Sequence, residues 1–430
     1  MRLHPLIHWA IDRTRTTLCL SLLLSLLPIA NADDLDGRIA RVLKETPLID
    51  GHNDIPWQYR QRVNNHLAAL DLASDLTTLE DPTHTDIPRL RRGGVGGLFF
   101  SVYVPVTTYG GAPVDVQKVI EQIDLVKRLV NHYSDDFGLA LTASDVRKVH
   151  ASGRIASLIG MEGGHSMNNS LATLRGLYDL GARYMTLTHS KGLLWADSAT
   201  DDARHGGLTR FGEAVVLEMN RLGMLVDLSH VSADTMRDAL AVSKAPIIFS
   251  HSSAYAVTQH DRNVPDDVLR MVRKNEGVVM VNYLTSYISE PRRLYEVDVA
   301  NYRKSLDQSL SEEAVRAAVN DYRKAHPAPE ATLFDVADHI DHIRAIAGID
   351  AIGLGADYDG MPPGPTGLED VSTYPALLKE LLIRGYSDRD IAKIAGENVL
   401  RVLEQAERIA ARLQETTTPN DVLIDELDTP

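Results

Sequence analysis

Eight short apolar runs, separated by segments with helical patterns, constrain the fold of this chain more than any other feature of its sequence. Apolar, β-branched runs that alternate with amphipathic helices are typical of parallel βαβ units. The runs occupy residues 47–50, 97–103, 155–159, 184–188, 224–228, 246–250, 278–282 and 351–355. Eight such units predict an α/β fold, a closed (β/α)8 TIM-like barrel, with an open doubly wound sheet as the alternative.

The segments between and after the runs predict the remaining organisation. Apolar residues spaced by three or four, as one helical face requires, recur in 116–130 and 333–347. The polar, helical stretch 290–330 does not fit the repeat and predicts an inserted subdomain or lid. Residues 377–413 predict two helices that cover the barrel, and the polar, acidic residues 414–430 predict a mobile tail.

Residues 1–32 have the pattern of a signal peptide. Arg13 and Arg15 precede an apolar run, 18–29, which is followed by the small residues of 30–32. A membrane-spanning helix needs about 20 apolar residues, more than this run contains, so a transmembrane anchor is the weaker interpretation. We expect cleavage after the last of these residues, export to the periplasm or the medium, and no stable membrane anchor in the mature protein.

Composition excludes several classes of function. The single cysteine, Cys19, lies inside the predicted leader, so the mature chain would have no thiol for catalysis, metal binding or disulfides. The formal net charge of −15 makes nucleic acid an unsuitable partner. Stability would then depend on core burial and on bound metal.

Polar side chains that can bind metal collect where the apolar runs end. His52 and Asp54 are two residues apart after the first run, so they point to the same face of a strand. Glu162 follows the third run beside two glycines, which allow a sharp turn. The histidines that end the fourth, fifth and sixth runs are His189, His230 and His251. One such histidine is more often a core residue, but three on consecutive strands predict a site at the C-terminal end of the barrel.

The ligand types indicate the metal. Imidazole and carboxylate donors without thiolate suit zinc, with cobalt or manganese as alternatives. Four or five protein ligands, one of them a carboxylate that two ions can share, suit a pair of ions bridged by Glu162 and a hydroxide. We therefore predict two Zn2+ per chain and a bridging hydroxide that is nucleophilic near neutral pH.

Two further residues at the predicted barrel mouth are candidates for catalysis and substrate binding. Asp357 follows the eighth run, where it would accept the proton of the attacking water and pass it to the leaving amine; the alternative is a cap for the next helix. Arg262 lies in a loop after the sixth run and would bind a substrate carboxylate; the alternative is a surface arginine. Helix capping is the preferred interpretation of Asp359. No function is predicted for His165, His260, His339 and His342.

The residues at these run ends belong to an ordered set of motifs that resembles the membrane, or renal, dipeptidases, a zinc peptidase family of the amidohydrolase-like barrels. The similarity extends across residues 46–405 and is specific as a set. The motifs are DGHNDIPW at 50–57, EGGHS at 162–166, TLTHS at 186–190, DLSHVS at 227–232, IFSHSSAY at 248–255, RNVPDD at 262–267 and GLEDV at 367–371.

The resemblance implies an activity. A metallopeptidase domain over residues 33–413 would hydrolyse free dipeptides, including some with a C-terminal D-residue. Members of the family are commonly homodimers, so a homodimer is implied as well.

The resemblance also implies a role for each site residue. His52 and Asp54 would bind one zinc, His230 and His251 the other, and Glu162 would bridge them. His189 would contact the substrate and steady the tetrahedral intermediate, and Asp357 would handle the proton of the water. Arg262 would bind the C-terminal carboxylate of the dipeptide, with help from Tyr287.

Two alternative functions remain open from the sequence. A related metal-dependent hydrolase of N-acyl amino acids, lactones or cyclic amides would share the metal ligands but would not need Arg262. An inactive periplasmic metal-binding protein would usually lack a ligand or Asp357, and here none is missing.

Overall fold

The computed structural model describes residues 32–106 and 108–428. The predicted signal peptide therefore lies outside the described residues except for Ala32, which begins the first helix. Within the described ranges, no helix is long and apolar enough to cross a membrane.

The strands of the described ranges form one parallel sheet that closes into a barrel. Their bounds are β1 (Leu48–Asn53), β2 (Val95–Ser101), β3 (Phe137–Leu139), β4 (Ile155–Glu162), β5 (Ala182–Thr186), β6 (Leu225–Asp227), β7 (Ile248–Phe249), β8 (Val278–Val281) and β9 (Ile352–Leu354). The strand order is β2-β1-β9-β8-β7-β6-β5-β4, and a parallel β2–β4 pairing closes the ring. All eight predicted runs are strands of this ring, so the (β/α)8 barrel is confirmed and the open sheet is excluded.

The short strand β3 was not predicted from the sequence. It pairs with residues 155–157 in the first half of β4, whereas β5 pairs with residues 159–162 on the second half. β3 thus extends the sheet without entering the ring. Three residues with a central glycine are too short a segment to show the alternation that identifies a strand.

Helices separate the strands and cover the barrel. Their bounds are α1 (Ala32–Glu45), α2 (Ile55–Val63), α3 (Ile87–Arg92), α4 (Pro113–His132), α5 (Ala143–Ala151), α6 (Leu171–Asp179), α7 (Arg210–Leu222), α8 (Ala233–Val242), α9 (Asp266–Asn275), α10 (Thr285–Ile288), α11 (Glu290–Ser305), α12 (Glu312–Ala325), α13 (Leu333–Ala347), α14 (Tyr374–Ile383), α15 (Asp388–Ala392), α16 (Asn398–Thr416) and α17 (Ile424–Leu427). The helical periodicity of 116–130 and 333–347 corresponds to α4 and α13.

Strand residues alternate between two apolar cores, as the period of a β-strand requires. Phe99 and Met280 belong to one core, which also contains residues of α16. Their strand neighbours Leu98 and Val281 belong to the other core, which includes much of the helical layer. A TIM-type barrel is filled by side chains in this way, so its chemistry is confined to the rim where the strands end.

The predicted insertion is a helical hairpin. α11 and α12 lie between β8 and α13, so the hairpin begins at the same rim of the barrel as the strand ends. Tyr302 of α11 stacks on Tyr322 of α12 with ring centroids 4.1 Å apart, and Arg323 pairs with Glu296. Only Val299 of the two helices is buried, so the hairpin projects from the barrel.

The C-terminal segment differs in part from the prediction. The two helices expected over 377–413 are α14 and a continuous helix in which a π-turn, Lys393–Glu397, joins α15 to α16. The acidic tail, however, is packed against α7 rather than free. Asp428 accepts hydrogen bonds from the Thr209 hydroxyl and from the Phe211 N–H at the N-terminus of α7. The positive end of the helix attracts this carboxylate, which composition alone did not indicate.

Candidate active site

The barrel brings all of the predicted metal-site residues to one rim. His52 lies in β1 with Asp54 directly after it, and Glu162 is the last residue of β4. The remaining residues follow β5, β6, β7 and β9 by two or three positions, namely His189, His230, His251 and Asp357. Since these strands are parallel neighbours in a closed ring, their C-terminal ends meet around one mouth.

Glu162 lies at the centre of this cluster. Its Oε1 atom is 3.0 Å from His230 Nε2, 3.5 Å from both His52 Nε2 and His251 Nε2, and 3.7 Å from His189 Nε2. The carboxylate is 5% exposed, so four imidazoles surround a buried anion. Burial alone would raise the pKa of Glu162, but His52 and His189 outweigh it and hold the pKa well below its usual range.

The protonation states of His230 and His251 suit cation binding, whereas at His52 the neighbouring Tyr184, Glu162 and Asp54 outweigh burial and raise the pKa well above its usual value, so a cation there must displace a proton. Burial, reinforced by the positive charge of Arg262, lowers the pKa of His230 well below its usual value, and burial does the same for His251. Both imidazoles are therefore neutral, yet their Nε2 atoms face each other at 2.8 Å. Two neutral imidazole nitrogens with lone pairs in one place, beside an ionised carboxylate, form a donor set for a cation.

Unpartnered buried atoms indicate the same kind of site. Among the described residues, His52 Nε2 and Asp54 Oδ1 are buried and have no hydrogen-bond partner. Ligand atoms that lie within 4.8 Å of one another form three groups, namely His52–Glu162–His251, Glu162–His189–His230 and His52–Asp54–Asp357. Because Glu162 and His52 recur in these groups, the donors suit adjacent cations better than separate ones, and nitrogen and oxygen donors without thiolate fit zinc.

The main chain at this rim is held in uncommon conformations. His230 and Asp357 have φ values of 67° and 69°, in the left-handed region that non-glycine residues rarely adopt. The Ser198 hydroxyl donates to the carbonyl of His189 at 2.6 Å and lies 3.3 Å from that of His230. One serine thus fixes the backbone of two candidate site residues.

Asp357 is partly buried, and its carboxylate lies within 4.8 Å of ligand atoms of both His52 and Asp54. The Asn282 side chain donates to its Oδ2 at 3.2 Å. Burial, with the nearby carboxylates of Asp54 and Glu162, raises the pKa of Asp357 to about 8. A Cβ at Gly360 would overlap both Asp54 and Asp357, so a glycine is needed between them. Asp357 does not cap a helix, since the next one, α14, begins at Tyr374.

Asp359 does not cap a helix either, which makes that interpretation wrong. Its Oδ1 accepts the His84 N–H at 2.7 Å, and its own N–H donates to His84 Nδ1 at 2.9 Å. The pair joins the loop after β9 to the segment before α3. Such long-range pairing has no signature in local sequence.

Arg262 is a buried residue rather than a surface one. It is 1% exposed, its Nε has no hydrogen-bond partner, and none of the ion pairs among the described residues includes it. Its guanidinium makes only long contacts, 3.4 Å to Ser252 Oγ and 3.5 Å to the carbonyl of His251, and lies 5.5 Å from the ring centroid of Tyr287. A buried cation without an anionic partner is costly unless a ligand supplies the charge.

One cavity of about 620 Å3 joins these groups. Glu162, His189, Arg262, Tyr287 and Asp357 all line it. Across the mouth, Trp57 and Tyr103 form an edge-to-face pair with centroids 5.1 Å apart. They follow β1 and β2, and β2 lies directly across the ring from β7, the strand that precedes Arg262. The cavity therefore has a cationic end and an aromatic end, with the imidazole and carboxylate cluster between them.

Several residues that support this site were not identified from the sequence. Ser250 Oγ lies 2.8 Å from His251 Nδ1 and donates to Asp227 at 2.6 Å. His339, for which no function was predicted, accepts the Ala254 N–H and contacts the carbonyl of Ile288. It thus joins the Arg262 loop to the helix that contains Tyr287. The sequence offered one indication of these supports, namely polar residues such as Asp227 and Ser250 inside apolar runs.

The fold and this cluster define a class of protein: a (β/α)8 barrel with a candidate metal site at the C-terminal ends of the strands. The sequence from residue 37 to 417 matches the membrane dipeptidase family, peptidase family M19. The chain belongs to this family, and it is a hydrolase of peptide bonds.

Individual relatives agree with this assignment. The chain is 41% identical to Dipeptidase verJ of Clonostachys rogersoniana over 397 residues, which cover 90% of this chain and 91% of that protein. Among solved structures, it is similar to a metallo peptidase from Rhodobacter sphaeroides liganded with a phosphinate mimic of the dipeptide L-Ala-D-Ala, with 25% identity, a TM-score of 0.68 and coverage of 84% and 99%. The probable dipeptidase PvdM from Pseudomonas aeruginosa has the same fold, with 22% identity, a TM-score of 0.75 and coverage of 88% and 100%.

Proposed function

We propose that this protein hydrolyses free dipeptides at a centre of two zinc ions. The observation that carries the proposal is Arg262, a buried arginine without an acidic partner in the described chain, which lines the same cavity as the Glu162 cluster. The carboxylate of a free dipeptide supplies the missing charge through a bidentate contact. A substrate without a free carboxylate would leave the guanidinium unpaired.

The donor set supports the proposed division of ligands. His52 and Asp54 would hold one zinc, His230 and His251 the other, and Glu162, whose Oε1 is 3.0–3.5 Å from the three imidazole nitrogens, would be shared. Bound in pairs, divalent cations supply a hydroxide nucleophile near neutral pH and polarise the scissile carbonyl.

The side chains around the donors have separate tasks. Asp357, held by Asn282, accepts the proton of the attacking water and transfers it to the leaving amine. His189, whose ring packs 4.8 Å from that of Tyr103, faces the cavity from the side opposite to Asp357's loop and donates to the oxygen that develops negative charge. Arg262 and Tyr287 hold the carboxylate end and so set the length of the substrate.

The test compares three substrates with the purified, zinc-loaded protein. These are a free dipeptide, the same dipeptide with a C-terminal amide, and an N-acyl amino acid. The proposal predicts cleavage of the free dipeptide with a kcat/KM far above that of the other two. Equal turnover of the amide, or preference for the N-acyl amino acid or a lactone, would favour the related amide or lactone hydrolase. Two bound ions without turnover of any dipeptide would identify an inactive metal-binding protein.

We extend the proposal to stereochemistry, because a relative 25% identical was crystallised with a mimic of L-Ala-D-Ala. The protein should accept a D-residue at the C-terminal position. Initial rates on L-Ala-D-Ala and L-Ala-L-Ala measure this directly, and hydrolysis of the L,L-dipeptide alone would refute it.

We also propose export and a homodimer. The leader pattern of residues 1–32 supports export, and the family resemblance supports the dimer. Mass spectrometry of the protein expressed with its leader should find a mature N-terminus after residue 32, and light scattering should give twice the mass of the mature chain. A retained leader or a monomer at micromolar concentration would contradict the respective part.

A further inference from the structure

Tyr184 makes an unusual contact from one side of the barrel to the other. It lies in β5, yet its hydroxyl is 2.8 Å from Nδ1 of His52 in β1. β4 and β2 separate these two strands in the ring, so the contact crosses the barrel interior. Both side chains are completely buried.

A glycine makes room for this crossing. Gly160 of β4 is the register partner of Tyr184, and a Cβ at Gly160 would overlap the tyrosine ring. Without that space the ring could not extend toward β1. The pair Gly160 and Tyr184 therefore forms a specific arrangement beneath the candidate metal centre rather than ordinary core packing.

The hydrogen-bond direction follows from what His52 must do. Its Nε2 faces Asp54 and Glu162, so this nitrogen carries the lone pair for a cation and Nδ1 carries the hydrogen. His52 Nδ1–H then donates to the Tyr184 oxygen, and the Tyr184 hydroxyl donates onward to the carbonyl of Gly51 at 3.3 Å. Partners of this kind fix the tautomer and ring orientation of metal-binding histidines.

His251 has a different support. Its Nδ1–H donates to Ser250 Oγ, whose hydrogen is given to the carboxylate of Asp227. The imidazole of His251 is thus supported by a chain that ends in a carboxylate, and that of His52 by a neutral phenol. No hydrogen bond of the described residues joins one chain to the other, although the rings of His52 and His251 pack with centroids 4.0 Å apart.

We propose that Tyr184 is a positioning residue for His52, and that the two cation sites of the proposed centre depend on separate supports, Tyr184 for one and Ser250 with Asp227 for the other. The inference rests on the proposed binuclear function. Under this inference, Tyr184 and Gly160 determine how tightly one ion is bound, and they take no direct part in cleavage.

The test is the affinity of each zinc ion, measured by competition with a chromogenic chelator. Tyr184→Phe should weaken one of the two ions by roughly 10- to 100-fold and leave the other within a factor of about three. Ser250→Ala should weaken the other ion. Tyr283→Phe is the matched control, because the Tyr283 hydroxyl is equally buried and has no hydrogen-bond partner in the described chain. Anomalous scattering from crystals grown at limiting zinc identifies which ion, beside His52 or beside His251, is lost.

Each result is decisive. Selective loss of the ion beside His52 in Tyr184→Phe supports the inference. Unchanged affinities, equal weakening of both ions, or a lower melting temperature of the metal-free protein with unchanged affinities would overturn it while leaving the proposed function intact. A parent protein that binds no zinc would overturn both.

Discussion

Replacement of Arg262 by methionine tests the proposed substrate directly. Methionine fills much of the same volume without charge, and the arginine is 1% exposed, so solvent does not screen the interaction that is removed. Loss of one partner of a buried, hydrogen-bonded charge pair costs about 2–5 kcal/mol. At 1.4 kcal/mol for each factor of ten, kcat/KM for a free dipeptide should fall roughly 30-fold to several thousand-fold.

The amide of the same dipeptide supplies the control. It has no carboxylate for Arg262, so Arg262→Met should change its kcat/KM by less than about threefold, and the ratio of the two substrates isolates the carboxylate contact. Rates for both substrates with both proteins are needed, at equal zinc content. If the substitution slows the dipeptide and its amide by the same factor, Arg262 supports the fold of the loop and not the carboxylate.

The same substitution should not destabilise the free protein. The guanidinium makes contacts of 3.4 and 3.5 Å and has no ion-pair partner in the described residues, so its removal eliminates an uncompensated buried charge. The melting temperature of substrate-free Arg262→Met should equal or exceed that of the parent. A marked decrease would show that the arginine is satisfied within the protein.

Three other perturbations have defined outcomes. Asp357→Asn should lower kcat by about 10²- to 10⁴-fold with zinc content unchanged, and steady-state kinetics and elemental analysis measure these two quantities. A near-normal kcat would exclude Asp357 from proton transfer. Burial lowers the pKa of His339 to about 4, below its unfolded value of 6.5. Stability from this neutral histidine should be complete above pH 6.5 and lost as the pH falls through about 4, by roughly 3 kcal/mol, so in urea unfolding the loss over this range should be larger by about that amount in the parent than in His339→Gln. Truncation after Thr416 removes the hydrogen bonds of Asp428 to α7 and should lower the free energy of unfolding, measured in urea, by about 1–3 kcal/mol. An unchanged free energy of unfolding would contradict the packing of the tail against α7.

The fold was predictable because the barrel repeats one simple unit. Each strand is an apolar run between helices, and each run ends at the same rim, so the sequence alone places His52, Glu162 and His251 together. β3 was missed because it lies outside that repeat. The tail was missed because long-range contacts anchor it, from Asp428 to the N-terminus of α7 and from Asn420 to Arg175 and Glu218, and average composition does not express such contacts.

The supports of the site were less predictable than its ligands. Tyr184 resembles any buried aromatic in a strand, and its contact with His52 depends on Gly160 and on the order of strands around the ring. His339 lies on a helix far from the motifs, and only the packing of α13 beneath the Arg262 loop gives it a role. Contacts between distant segments depend on register and packing, which local patterns do not contain.

The presence and position of bound metal test the central claim most directly. Crystals of the zinc-loaded protein, measured at the zinc absorption edge, should show two anomalous peaks, both in contact with Glu162, one beside His52 and Asp54 and the other beside His230 and His251. An active protein whose anomalous map has no peak at Glu162, or has its metal elsewhere, would contradict the account.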